Sequence, residues 1–128
     1  MNDDFWLLMG DAADIGAPIG RGAIWELPLI VYTFDGLEPG VYDVYTYGVV
    51  AAPPRRAVPV YVTVPGALTE NPQVCTGPMP LDWTFRRGVT HTQHQVVVAD
   101  GRLEIRVSRE RGAQWAAMIN GFQIVKVK

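Results

Sequence analysis

The chain has one cysteine, Cys75, and one serine, Ser108, among its 128 residues. A lone thiol cannot form an intramolecular disulfide, so the fold must rest on its core. Cys75 reads as a small buried apolar side chain, because no base or cation near it in sequence would draw its pKa down. There is no Gly-x-Ser-x-Gly elbow and no glycine-rich phosphate loop, so acyl and phosphoryl transfer lack their usual groups. The two histidines, His91 and His94, are three residues apart in a strand-like stretch. That spacing sends them to opposite faces and argues against their sharing a zinc ion. His94 has the parity of Val96 and Val98 and is expected as a hydrogen-bonded, partly buried ring, with His91 exposed. The acids are scattered, and the one cluster, Asp3, Asp4, Asp11 and Asp14, lacks the order of a calcium loop. No carboxylate pair announces a glycosidase. The expectation is a protein with no enzyme activity, no catalytic residue and no bound metal.

Also absent are a charge surplus and a long apolar run. The net charge is −2, and the only adjacent basic pairs are Arg55-Arg56 and Arg86-Arg87, too little for a nucleic-acid footprint. Residues 5–9 are far too few for a signal peptide or a membrane span, so no membrane insertion is expected.

What remains is a chain of 48% hydrophobic and 19% charged residues, suited to one folded domain over residues 1–128. Ten prolines, all at or before Pro80, and thirteen glycines cut it into pieces of strand length. Residues 29–34 and 41–47 are β-branched and aromatic and flank turn chemistry at residues 35–40. Val58, Val60, Val62 and Val64 alternate with Pro59, Tyr61 and Thr63, a period of two. Pro59 cannot donate to a ladder, which suggests an edge strand there. Residues 96–99 and 102–107 flank Asp100-Gly101, which predicts a hairpin with a type I′ turn. In its second arm Leu103, Ile105 and Val107 face the core and Arg102, Glu104 and Arg106 face water. A last strand spans residues 119–127. Residues 1–27 are less regular, an arm or loop region, although Phe5, Leu8, Met9 and Ala12 have the spacing of a short helix. The pattern predicts an all-β, antiparallel sandwich of about seven or eight strands.

Three segments resemble a known superfamily. Gly36-Leu37-Glu38-Pro39-Gly40-Val41-Tyr42-Asp43-Val44-Tyr45 is similar to the GL-x-PG-x-Y-x-V hairpin of galactose-binding-domain-like β-sandwiches. Asp100-Gly101-Arg102-Leu103-Glu104-Ile105 resembles their DG-x-L-x-I hairpin, and Ile119-Asn120-Gly121-Phe122-Gln123-Ile124 their closing strand. The resemblance covers residues 28–128 and implies a jelly roll like those of malectin-like domains and carbohydrate-binding modules. It transfers no sugar-binding residue, since the matched positions are turn and core positions. Some related modules hold a structural calcium near their termini, the one cofactor the resemblance suggests.

Recognition residues are sought among the aromatics. Tyr61 faces away from the valines of its strand, and Tyr45 and Tyr47 face away from Tyr42 and Val44. If the two strands pair, these three rings form a flat patch able to meet a sugar or a protein. Trp25, Trp83 and Trp115 read first as core residues, with Trp115, after a polar loop, the best exception. Alternate connections should lie at opposite ends, with residues 10–27 and the Arg55-Arg56 loop at one and the 35–40 and 65–70 turns at the other. The candidates for a ligand or interface are Tyr45, Tyr47, Tyr61, Trp25, Trp115, Arg55 and Arg56. Two functions compete. One is a carbohydrate-binding module on an extracellular, cell or virion surface. The other is a structural or assembly protein, such as a virion decoration protein or an interaction domain, that forms homo-oligomers or joins a larger particle.

Overall fold

A computed structural model describes residues 13–15, 29–48, 59–77, 79–109 and 117–127. These contain nine strands and no helix: β1 (Ala13–Ile15), β2 (Leu29–Phe34), β3 (Gly40–Tyr47), β4 (Val60–Thr63), β5 (Gln73–Cys75), β6 (His91–Val98), β7 (Leu103–Arg109), β8 (Ala117–Ile119) and β9 (Gly121–Lys126). All pairing between them is antiparallel. A four-stranded sheet has the order β2-β7-β4-β5, a three-stranded sheet the order β6-β3-β9, and β1 pairs with β8 in a short ribbon. The helix spacing at residues 5–12 lies outside the described residues.

The period of two sets the layers. Tyr42, Val44, Val96, Val98 and Phe122 from the three-stranded sheet meet Val60, Val62, Cys75, Leu103, Ile105 and Val107 from the other in one buried cluster. Because alternate side chains of a strand face opposite sides, a slip of one residue would turn each of these valines to water. Leu103, Ile105 and Val107 are buried and Arg102 and Arg106 exposed, as the alternation predicts, while Glu104 is half-buried.

The two expected hairpins are corrected. β2 and β3 lie in different sheets, and so do β6 and β7, so each short connection crosses the core instead of pairing its flanks. A hairpin keeps both strands in one sheet, whereas here both flanks aim apolar faces at each other across the interior. The turn shows the difference. Asp100 is not at positive φ, as a type I′ turn needs; only Gly101 is, at 80°. The Asp100 carboxylate accepts instead from the Arg102 amide at 3.1 Å, and the Leu37 amide donates to Gly101 O at 3.1 Å, tying the two crossings together. A Cβ on Gly101 would stand 3.3 Å from Leu37 O, so the contact demands glycine.

The edge strand expected at Pro59 is also corrected. β4 begins at Val60 and lies between β7 and β5, with the proline just outside the ladder. Likewise the closing strand is broken at Asn120 into β8 and β9.

The sheet edges are finished unequally. Gln73, buried on β5, donates through Nε2 to Gln93 O at 2.6 Å and accepts from the Gln93 amide at 3.0 Å. Its side chain thus acts as one rung of β-ladder between the two sheets. Farther along β6, the Gln95 amide donates to Thr69 Oγ1 at 3.0 Å and the Leu68 amide to Gln95 O at 2.7 Å. On the opposite side β2 and β9 approach only through side chains, Tyr32 and Phe34 packing edge-on against Phe122.

Candidate functional site

The outer face of the three-stranded sheet gathers the polar and aromatic groups. Register places Gln93, Tyr45 and Gln123 in one row, Gln95, Asp43 and Val125 in the next, and His91, Tyr47 and Gly121 in the row on the other side. Cross-strand rows are the unit through which sheet side chains meet. Here they bond to one another: Gln95 Nε2 donates to Asp43 Oδ1 at 3.1 Å, Gln93 Nε2 to Tyr45 Oη at 3.3 Å, and Tyr47 Oη to Gln123 Oε1 at 3.2 Å.

Beside these rows an open depression of about 150 Å³ is lined by Asp43, Thr69, Arg87, Gln93, His94 and Gln95. A space of that order holds a six-membered ring. Asp43 supplies a carboxylate, Arg87 a guanidinium, and the two glutamines both donors and acceptors. The backbone of two lining residues is held from the other side of β6: the Gln93 amide donates to Gln73 Oε1 and the Gln95 amide to Thr69 Oγ1, Thr69 itself lining the depression.

The rings follow. His91 lies with its centroid 5.3 Å from Tyr47 and 6.0 Å from Tyr45, and Phe85 meets Tyr47 edge-on at 5.8 Å. Thr90 Oγ1 donates to Arg86 O at 3.0 Å, spending its one proton, and lies 2.9 Å from His91 Nδ1. Nδ1 must therefore carry the hydrogen, leaving Nε2 as an acceptor. Partial burial, helped by the charge on Arg87, holds the His91 pKa below its ordinary value, so the ring is neutral at pH 7.

The tyrosine patch is corrected. Tyr45 and Tyr47 stand on β3, in the three-stranded sheet, and Tyr61 on β4, in the four-stranded sheet. Consecutive strands that cross the core cannot present one face. Tyr47 does point outward, yet it is only 5% exposed, beneath Phe85 and His91. Tyr45 stays half-buried among the amides. Trp25, Trp115, Arg55 and Arg56 lie outside the described residues.

Trp83, read first as a core residue, is 68% exposed. It occupies a turn at φ 58°, its amide donating to Pro80 O at 2.9 Å, and the Thr84 amide donates to Asp82 Oδ1 at 3.1 Å. The turn chemistry of Pro80 and Asp82 holds the indole outside.

His94 is the inner-face surprise. It is fully buried, neither ring nitrogen has a hydrogen bond, and the neighbouring hydroxyls of Thr46 and Thr92 are also unpartnered. Burial pushes its pKa down to about 4, and Arg87 adds to the effect. The Val62 backbone pulls the other way but does not reach hydrogen-bonding geometry. Cys75 is buried as expected, its thiol pushed up to about 12 by desolvation, so it is no nucleophile at neutral pH.

Sequence reasoning passed over Gln93, Gln95, Gln123 and Arg87. The signal for the glutamines was there: along residues 91–97 the odd positions His91, Gln93 and Gln95 share a face with each other and not with Val96 and Val98. Among the described residues no three His, Cys, Asp or Glu side chains group as metal ligands would. No protein-family model, curated protein or solved structure matches this chain.

Proposed function

We propose that the chain is a non-catalytic binding module, a jelly roll of the galactose-binding kind, and that it recognises carbohydrate on the outer face of the three-stranded sheet. One observation carries the reading: Asp43, Arg87, Gln93 and Gln95 converge on a depression the size of a six-membered ring, beside Tyr45 and His91. Vicinal hydroxyls each need a donor and an acceptor at close spacing, which a carboxylate, a guanidinium and primary amides supply together. After their mutual bond, Asp43 Oδ2 and Gln95 Oε1 have no protein partner among the described residues. Such a role belongs at a cell or virion surface, where glycans are displayed.

A glycan array followed by calorimetry tests it. Asp43→Ala should weaken binding of the best glycan about ten- to a hundredfold, the value of a hydrogen bond to a charged group. Its unfolding midpoint should stay within a degree or two of the parent. Absence of binding to every glycan, or binding untouched by Asp43→Ala and Gln95→Ala, would refute the proposal.

A further inference from the structure

The backbone around Arg87 is tied down on both sides. The Val89 and Thr90 amides donate to Arg86 O at 3.0 and 2.8 Å, and the Gly88 amide donates to His91 O at 2.7 Å. Thr90, fully buried, closes the same turn through Oγ1, which accepts from the Arg86 amide at 2.9 Å and donates to Arg86 O at 3.0 Å. Arg87 itself forms a bridge with His91, and it lines the depression together with Asp43, Gln93 and Gln95. A charged side chain on so constrained a turn is preorganised.

Its charge is also unpaired. Arg86 holds Asp82 at 3.6 Å, Arg102 holds Asp35 at 3.0 Å, Arg106 holds Glu104 at 2.7 Å and Lys126 holds Glu38 at 2.9 Å. Arg87 has no carboxylate within ion-pair reach among the described residues, although Asp43 lines the same depression. Asp43 is engaged instead by Gln95 Nε2 at 3.1 Å. The nearby imidazoles of His91 and His94 are kept neutral, so Arg87 is the one positive charge in the lining. A guanidinium is a planar fork of donors matched to a carboxylate, a fit that ring hydroxyls use only in part.

On the carbohydrate reading of this face, on which the inference rests, we propose that the sugar taken by the depression is a uronic acid. Arg87 binds its carboxylate, and Asp43, Gln93 and Gln95 bind its hydroxyls. A hexuronate keeps the outline of a hexose, so the acid adds no bulk in a space of about 150 Å³; a sulfate ester projects beyond that outline. Asp43 fixes the direction. Turned end for end, the ring would set its carboxylate against that of Asp43, a like-charge contact that disfavours the reversed pose. Two opposite charges held apart thus select one class of sugar and one orientation of it.

Calorimetry with oligosaccharides of glucuronic, galacturonic and mannuronic acid, each beside its methyl ester, tests this, with a sulfated neutral oligosaccharide as a second anion. The ester keeps the ring and its hydroxyls and removes the charge. The best uronate should bind about tenfold or more tightly than its ester, as a hydrogen bond between charged groups implies, and the ratio should shrink as salt rises. Arg87→Gln should bring that ratio close to one. Arg87→Lys, which keeps the charge and loses the fork, should leave it in between. Arg102→Gln, which removes an equal charge away from the depression, should not change it. Because Arg87→Gln breaks no ion pair among the described residues, its unfolding midpoint should match the parent. An ester or neutral sugar bound as tightly as the uronate, with Asp43→Ala still weakening it, would overturn the uronate and leave carbohydrate recognition standing. Preference for the sulfated sugar, or a ratio that survives Arg87→Gln, would overturn it as well. Absence of binding to every glycan would remove both.

Discussion

Along β6 the edge of the three-stranded sheet is closed by groups reaching over from the other sheet, while on the β2 side the contacts among the described residues between the two sheets are aromatic, Tyr32 and Phe34 against Phe122. The closed side has its backbone satisfied by one glutamine, one threonine and a loop amide, and the candidate glycan depression is built on it. The β2 side has the higher β propensity, and its core-facing Ile30, Tyr32 and Phe34 are only partly buried. The difference teaches that backbone bracing and aromatic packing are placed on separate flanks. A site that must hold amides at fixed spacing benefits from a braced strand.

The comparison can be broken in several ways. Ile105 is shared by both flanks, so Ile105→Ala should cost about 2–5 kcal/mol with no bias toward either; denaturant unfolding measures it. A loss well under 1 kcal/mol would mean the layers are assigned backwards. His94, under the closed flank, sharpens the contrast through pH. The free imidazole titrates near 6.5 and the folded one near 4, so between these values the unfolded chain binds the extra proton. Stability is therefore complete above about 6.5 and falls as pH drops toward 4, by about 3 kcal/mol at roughly 1.4 per pKa unit. His94→Leu should flatten that part of the curve in acid denaturation, and an unchanged slope would contradict the burial of the ring. Gln73→Ala, which unpairs the amide and carbonyl of Gln93, should cost about 2 kcal/mol and loosen ligand binding with it. The smallest effect belongs to Lys126→Ala at the β2 flank: the ion pair with Glu38 is solvated, and the unfolding midpoint should not move measurably.

Much of this was legible in the sequence, and the failures share a cause. Alternation in residues 41–47, 59–64 and 102–107 revealed which side chains enter the core, because pleat parity is local. It could not reveal to which sheet each strand belongs. A run ending in Asp-Gly is compatible with a hairpin or with a crossing of the core, and the choice is made by distant partners such as Leu37. The tyrosine patch failed for that reason, since Tyr45 and Tyr61 were each oriented correctly and assigned to one sheet. Gln73 was unreadable, being twenty residues from the strand it braces. Gln93 and Gln95 were readable by parity and were passed over in favour of aromatics.

Amide hydrogen exchange, resolved by residue, tests the contrast between the flanks most directly. The Gln93 and Gln95 amides should exchange only through global unfolding. Alternate amides of β2, those not bonded to β7, should exchange faster. Fast exchange at Gln93, or β2 amides all as slow as those of Gln93 and Gln95, would contradict the account.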